Sequence, residues 1–234
     1  MSRIVACLHN LEHPVLGLAG AALEAAGLEL RHFDLRRGAE LPRLAEVDAI
    51  VAFGGEQSVT EIASYPYLRA EAALLRDAVA ASVPVLGVCL GGQLLAHALG
   101  AQVRRMDATQ IGWRAVEPLP AALGDALFGG VEPAARFFHW NEDCFDLPAG
   151  AESLLTRPGP GVEAFRAGAR AWGLQFHPEV DRAIIERWYA ESPAELERAG
   201  VRLADARAAD ARNLPAGQRA ARSLLDAFAR VVLA

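Results

Sequence analysis

The chain has 234 residues, of which 53% are apolar and 22% charged, and its formal net charge at pH 7 is −6. This length and composition are typical of one soluble α/β core that carries an appendage. The acidic balance argues against a nucleic-acid-binding protein, because phosphate backbones are bound by basic surfaces. All 23 basic residues are arginines, which excludes lysine Schiff-base chemistry and a P-loop lysine.

The cysteines and the amino-terminal segment indicate the compartment. Three cysteines, Cys7, Cys89 and Cys144, are too few and too widely spaced for a disulfide framework. Residues 1–10 contain one arginine and a short apolar run, which is typical of a first strand and not of a signal peptide. No apolar run reaches the roughly 18 residues that a membrane span needs. We therefore expect a cytoplasmic protein with no membrane association.

The first hundred residues alternate strand and helix patterns. The strands are continuous or alternating apolar runs, and the helices are amphipathic or rich in helix-forming residues. Strands are predicted at 3–8, 28–35, 48–55 and 83–89, and helices at 15–26, 68–81 and 90–100. Short links between alternating strands and helices predict a mostly parallel, doubly wound sheet flanked by helices.

The second half of the chain has a different pattern. Short strand-like runs split by glycine and proline predict β-hairpin insertions, with the last run, 169–179, returning to the main sheet. A helix is predicted at 181–191. Residues 193–234 predict two helices with a break at 213–215, the last one amphipathic. We divide the chain into a domain at 1–191 and a C-terminal helical extension at 192–234 that packs on it or forms a contact between two copies.

The segment GVCLG at 87–91 places a cysteine between glycines where a predicted strand passes into a predicted helix. Glycines flank nucleophiles at such sharp turns because side chains there would clash. A helix amino terminus also favours the thiolate form of a cysteine. The pattern predicts that Cys89 is a nucleophile. The alternative is a cysteine that only packs at a glycine-rich turn.

A thiolate nucleophile needs a base, and the base needs an orienting group. The segment QFHPE at 175–179 offers His177 and Glu179 on either side of a proline that fixes the turn. We expect His177 to end a strand and Glu179 to begin the next helix. The carboxylate would then hold one imidazole nitrogen while the other faces Cys89. A histidine that only packs or caps an element is the alternative.

A third segment, FGGEQSV at 53–59, follows a buried strand. A Gly-Gly turn at a strand end can aim a backbone N–H into a cleft as an oxyanion donor, and the backbone N–H of Leu90 would be the other donor. An ordinary loop is the alternative.

Together, GVCLGGQLLA and LQFHPEV resemble the triad type of class I glutamine amidotransferases. The segments FGGEQSV and FFHWNEDCFDLP also fall where that family has its oxyanion loop and a hairpin. The resemblance covers roughly residues 1–190 and is greatest to stand-alone proteins similar to the glutamine amidotransferase domain of GMP synthase. It implies the flavodoxin-like α/β fold of the family.

The resemblance also implies roles for individual residues. It implies a triad of Cys89, His177 and Glu179 and an oxyanion hole from the backbone of Gly55 and Leu90. Residues implied to bind substrate are Gln93, His139, Trp140 and Asn141. The implied reaction converts glutamine to glutamate and ammonia through a γ-glutamyl thioester.

The hairpin departs from the family pattern at one position. Residues 139–143 read HWNED, where relatives commonly carry a second histidine at the position of Asn141. Glu142 adds a negative charge beside it. A γ-glutamyl compound with a differently placed charge therefore also fits. Solvent-facing variation at these two positions is the alternative.

Three functions stay open at this point. The first is a glutaminase, which would pass ammonia to a separate synthetase subunit or release it, since no ATP-binding glycine loop is present. The second is a hydrolase of γ-glutamyl peptides or γ-glutamyl amines. The third is a non-catalytic binding protein, against which the intact triad argues.

We expect no cofactor and no metal. His9 and His13 have an H-x3-H spacing, but Pro14 makes a regular helix face doubtful and no further ligands stand out.

Overall fold

The computed structural model describes residues 2–234, and this part of the chain forms nine strands and six α-helices. The strands are β1 (Ile4–Asn10), β2 (Glu29–Asp34), β3 (Ala49–Gly55), β4 (Val85–Val88), β5 (Val103–Pro118), β6 (Ala135–Phe145), β7 (Glu152–Thr156), β8 (Ala164–Ala167) and β9 (Ala171–Leu174). The helices are α1 (Gly17–Ala25), α2 (Pro66–Ala80), α3 (Leu90–Ala98), α4 (Arg182–Glu191), α5 (Pro193–Arg198) and α6 (Leu203–Leu233). Within residues 2–234, no helix has both the length and the apolar character to cross a membrane.

All nine strands join one sheet in the order β2-β1-β3-β4-β9-β8-β7-β5-β6. The first five strands in that order pair in parallel, and the remaining pairs are antiparallel. The strand from the predicted returning segment, β9, lies directly beside β4. The predicted mostly parallel α/β sheet with hairpin insertions is confirmed.

Each face of the parallel strands packs into its own core. Alternate residues of a strand point to opposite faces, so Cys7 and Val51 contribute to one core while Leu8 and Ala52 contribute to the other. Helices α1 and α6 cover the first face, and α2 and α3 cover the second. Cys7 is fully buried, and this burial raises the pKa of its thiol to about 12. It is an apolar filler and not a reactive group.

The carboxyl ends of β1, β3, β4 and β9 meet at one edge of the sheet, where α/β proteins bind their ligands. Glycines let α3 begin directly at this edge. A Cβ on Gly91 would lie 2.0 Å from the carbonyl oxygen of Ala52, and one on Gly87 would lie 2.6 Å from the carbonyl oxygen of Gly91. Both positions therefore require glycine, because a side chain would force α3 away from β3 and β4.

The C-terminal segment packs against the rest of the chain through a buried carboxylate. Asp210 of α6 accepts hydrogen bonds from the indole N–H of Trp113, at 2.8 Å, and from the hydroxyl of Tyr189, at 3.1 Å. Gly217, two turns further on, lies against the Trp113 ring, where a Cβ would be 2.2 Å from the ring edge. These contacts hold α6 on β5 and α4.

The predicted break at 213–215 is wrong. The two helices separate at 199–202 instead, where Gly200 has a φ of +65°, and α6 continues through Pro215. A proline inside a helix leaves the carbonyl four residues earlier without its N–H donor. That carbonyl belongs to Ala211, which is solvent-exposed, as is Pro215. Leu214 and Gly217 are buried on the opposite side, and their packing keeps the helix continuous.

The continuity of α6 predicts the effect of removing the proline. Pro215→Ala restores the hydrogen bond to Ala211 and should stabilise the protein by about 1–3 kcal/mol. Ala216→Gly, at the next exposed helical position, should cost about 1 kcal/mol. Urea denaturation measures both. Values near zero for the two variants would indicate that the helix is interrupted there.

Candidate active site

Cys89 occupies the turn between β4 and α3 in a conformation unusual for a residue with a side chain. Its φ is +50° and its ψ is −108°, and it precedes the first helical residue of α3. Such backbone strain persists only where the surroundings fix it. Here the Cys89 N–H donates to the carbonyl of Leu174 at 2.8 Å, which ties the turn to β9. The turn directs the side chain to the pocket at the sheet edge, where Sγ lies 3.7 Å from the carbonyl oxygen of Trp140.

His177 and Glu179 form a buried pair in the turn after β9. Nδ1 of His177 lies 2.7 Å from Oε1 of Glu179, and both side chains are buried. The backbone N–H of His177 donates to the carbonyl of Phe138 at 2.8 Å, and the backbone carbonyl of Glu179 accepts from Leu18 at 2.8 Å. Helix α4 begins after Asp181, which caps it, so the turn that holds Glu179 precedes the helix.

The turn after β4 and the turn after β9 meet at Gly54. A Cβ on Gly54 would lie 3.1 Å from Cε1 of His177 and 3.5 Å from Cβ of Cys89. Nε2 of His177 is buried and has no hydrogen-bond partner among residues 2–234. The structure therefore brings together the three residues predicted as a triad, Cys89, His177 and Glu179, and leaves one imidazole nitrogen available on the pocket side.

The surroundings of His177 favour its protonated form. Burial of the ring by itself lowers the pKa, but the charge of Glu179 and the nearby sulfur of Cys89 outweigh burial and raise the pKa of His177 well above its ordinary value of 6.5. A protonated imidazole beside a sulfur stabilises the thiolate. The arrangement therefore fits a thiolate–imidazolium pair that both attacks a carbonyl and supplies a proton.

A pocket of about 330 Å³ opens over these residues. It brings together most of the sequence-predicted site. The predicted residues that line it are Gly55, Cys89, Leu90, Gln93, Trp140, Asn141 and His177.

His139, which was expected to bind substrate, does not line the pocket. Its ring is fully buried, with Nε2 2.7 Å from Oε2 of Glu163 and Nδ1 3.1 Å from the carbonyl oxygen of Phe137. Burial outweighs the attraction of Glu163 and lowers the pKa of His139. This side chain supports the hairpin from behind, because both of its nitrogens are used within the protein.

Gln93 and Asn141 converge on one backbone carbonyl. The amide nitrogens of Gln93 and Asn141 lie 3.2 and 3.0 Å from the carbonyl oxygen of Asp143. These bonds tie the first turn of α3 to the hairpin. Oδ1 of Asn141 is buried and has no hydrogen-bond partner within the described residues, so it is an acceptor available to a donor in the pocket.

Several pocket residues were not predicted from the sequence. Outside the segments FGGEQSV and HWNED, they are Leu11, Glu12, His13, Arg105, Trp188, Glu191, Ser192 and Glu195; within those segments, they are Gly54, Glu56, Gln57, Ser58, Glu142 and Asp143. The Trp188 indole packs on the His177 imidazole with ring centroids 4.9 Å apart. One signal could have identified Trp188. Helix α4 directly follows the turn that carries His177, so one face of this helix lies close to the His177 ring.

Comparison with known proteins shows the family of the chain. Residues 21–185 match the family model described as glutamine amidotransferase class I. The chain belongs to the class I glutamine amidotransferase family. It is 32% identical over 196 residues to the glutamine amidotransferase-like protein YfeJ of Salmonella typhimurium. This match covers 81% of this chain and 82% of YfeJ.

Two further relatives show the range of the family. A solved glutamine amidotransferase from Thermotoga maritima is 29% identical, has a TM-score of 0.87 and covers 98% of this chain and 99% of its own. The glutamine-hydrolysing GMP synthase of Aeropyrum pernix is 34% identical over 111 residues, which is 45% of this chain. The match spans only 21% of that synthase. The likeness to GMP synthases is thus confined to part of those proteins.

The pairing of His177 with Glu179 predicts a pH effect. Glu179→Gln removes the charge that raises the pKa of His177, so the imidazolium is lost at lower pH than in the wild type. The rate of Cys89 alkylation by iodoacetamide should then fall about tenfold near pH 7 and converge on the wild-type rate above about pH 9, where thiols ionise unaided.

A matched variant controls for loss of any buried His–Glu pair. Glu163→Gln breaks the pair with His139, which lies outside the pocket, and should leave the pH profile of alkylation unchanged. Identical profiles for Glu179→Gln and the wild type would contradict the assigned role of Glu179.

Proposed function

We propose that the protein hydrolyses the side-chain amide of glutamine to glutamate and ammonia through a γ-glutamyl thioester on Cys89. The observation that carries the proposal is that Cys89, on a strained turn at a helix amino terminus, lines one pocket with His177, whose ring is paired with the buried Glu179. Membership of the class I glutamine amidotransferase family supports it.

The proposed chemistry has two halves. The Cys89 thiolate attacks the amide carbonyl carbon, and the backbone N–H groups of Gly55 and Leu90 stabilise the oxyanion. The imidazolium of His177 protonates the leaving nitrogen, which departs as ammonia. His177 then takes a proton from water, whose oxygen attacks the thioester carbonyl; the C–S bond breaks, glutamate is released, and the Cys89 thiolate and the His177 imidazolium are restored.

The proposal extends to the setting of the enzyme. Cys7, Cys89 and Cys144 are free thiols, in keeping with a reducing cytoplasm. Several of the matched relatives are named GMP synthases, so we propose that a separate synthetase chain consumes the ammonia. Helix α6 packs on α1 and on the sheet, which we take as its role in preference to a contact between two copies.

A second candidate, hydrolysis of γ-glutamyl amines, is favoured by carboxylates that line the pocket. The leaving group of the amide must lie near His177. Trp188, which packs on His177, lines the pocket together with Glu191 and Glu195, and Glu195 accepts from the indole N–H of Trp140 at 2.6 Å. Carboxylates and indole rings attract ammonium groups. A leaving amine that carries a second, distal ammonium would be recognised there.

A non-catalytic binding role is the least supported of the three, because Cys89 and His177 both line the same pocket.

The first test is ammonia release by the wild type and Cys89→Ser with glutamine, γ-glutamyl dipeptides and γ-glutamyl amines. We expect turnover of at least one substrate to fall about a thousandfold or more in Cys89→Ser, because the thiolate is the nucleophile. Cys7→Ala, which removes a buried thiol that does not line the pocket, should keep the wild-type turnover. Undiminished turnover in Cys89→Ser would refute the nucleophile assignment.

The acidic side of the pocket gives a separate test for the second candidate. Glu191→Gln should raise KM for a γ-glutamyl diamine about two- to fivefold, the size expected for one exposed charge pair, and leave KM for glutamine unchanged. Glu197→Gln, on the exposed part of α5, is the matched control. If KM for the γ-glutamyl diamine is the same in Glu191→Gln and Glu197→Gln, the pocket carboxylate does not recognise the distal ammonium group.

A further inference from the structure

A buried polar pair lies directly behind the glycine turn of β3. Asn10, the last residue of β1, and Glu71, in α2, are both fully buried. Nδ2 of Asn10 lies 3.3 Å from Oε1 of Glu71 and 3.4 Å from the carbonyl oxygen of Phe53. Neither side chain lines the pocket, so the proposed chemistry does not use them directly.

An amide and a carboxyl group in this position are costly. Glu71 lies on the buried face of α2, which forms an apolar core with α3 on this side of the sheet, and burying polar groups is unfavourable unless they are hydrogen-bonded. Oδ1 of Asn10 and Oε2 of Glu71 have no partner among residues 2–234. Apolar residues would fill the same space at a lower free-energy cost, so stability alone does not explain why the pair is polar.

The location of Asn10 supplies that reason. The pairing of β1 with β3 shifts register after Leu8, and Asn10 then pairs with Gly55. A Cβ on Gly55 would lie 2.6 Å from Cβ of Asn10 and 2.7 Å from Cδ2 of Leu90. Gly55 is therefore held between Asn10 on one side and the first residue of α3 on the other, and it lines the pocket beside Cys89.

We propose that Asn10 and Glu71 are positioning residues for the oxyanion site: Glu71 orients the Asn10 amide, which anchors the end of β3 at Phe53 and so fixes the backbone N–H of Gly55. This proposal rests on the oxyanion role given to Gly55 above. Preorganised donors must be held within roughly 0.5 Å of the productive geometry. A glycine turn has no side chain of its own to provide this restraint.

The state of Glu71 suits an orienting role. Its complete burial raises the pKa of its carboxyl group to about 8, so the group is largely neutral at pH 7. A neutral glutamine of the same length offers Asn10 the same acceptor oxygen. Glu71→Gln is therefore a conservative replacement, whereas Glu71→Leu removes the acceptor and keeps the bulk.

The test compares two reactions of the same thiol. Acylation of Cys89 by p-nitrophenyl acetate passes through a tetrahedral oxyanion and releases p-nitrophenolate. Alkylation by iodoacetamide displaces iodide at carbon and forms no oxyanion. The ratio of the two rates, with the Cys89→Ser background subtracted, reports the oxyanion site whichever γ-glutamyl compound is the substrate.

We expect Asn10→Ala and Glu71→Leu each to lower the acylation rate about tenfold or more while the alkylation rate stays within about twofold. Glu71→Gln should keep both rates within about twofold of the wild type. If the wild type turns over glutamine, kcat should fall in Asn10→Ala with KM little changed.

Asp125→Ala controls for general loosening of the fold. Asp125 is a buried carboxylate outside the pocket that accepts from the backbone N–H of Leu127 and the indole of Trp172. Its loss should lower the melting temperature and leave the rate ratio unchanged. A ratio that stays at the wild-type value in Asn10→Ala and Glu71→Leu, or that falls equally in Asp125→Ala, would overturn the proposal.

The two proposals can fail separately. One outcome is that the ratio of acylation to alkylation changes in Asn10→Ala and Glu71→Leu while the wild type shows no Cys89-dependent amide hydrolysis. This result would contradict the proposed function and support the positioning role. Normal glutamine hydrolysis in Asn10→Ala and Glu71→Leu would remove the positioning role and leave the function. If one of these variants does not fold, the other still decides the outcome.

Discussion

The close approach of α3 to the sheet is the constraint on which the rest of the structure depends. Gly91 packs against the backbone of β3 at Ala52, and a Cβ on Gly92 would lie 2.5 Å from the carbonyl oxygen of Leu174 in β9. This contact lets the helix begin at the residue after Cys89 and holds Cys89 itself at a φ of +50°. The strained backbone persists only because neighbours on both sides fix the turn. It gives the thiol its place at the amino terminus of α3.

His177, the proposed base, is held at the pocket by a different set of contacts. The His177 backbone N–H is bonded to Phe138 of the hairpin, its ring is bonded to Glu179, and the Trp188 indole packs against the ring in a T-shaped arrangement. Helix α4, which carries Trp188, is in turn tied to α6 through Tyr189 and Asp210. The C-terminal helix thus supports the site at a distance, through contacts that involve no reacting atom.

The sequence could predict the parallel core and the three segments that meet at its edge, because strand periodicity, flanking glycines and the HPE turn are local signals. The direction of His139 could not be predicted. Both faces of β6 are largely buried, and Glu163, the partner of His139 Nε2, lies 24 residues away along the chain, so no local pattern shows which way His139 points. Likewise, the role of Asn10 depends on a register shift between β1 and β3, and the continuity of α6 through Pro215 depends on tertiary packing.

The covalent intermediate is the most direct test of the account. Wild-type protein would be mixed with glutamine, quenched rapidly in acid, digested and mapped by mass spectrometry. The account predicts a γ-glutamyl group on the peptide that contains Cys89, formed as ammonia is released and absent from Cys89→Ser. Steady release of ammonia from glutamine by Cys89→Ser, or a γ-glutamyl group on a different residue, would contradict it.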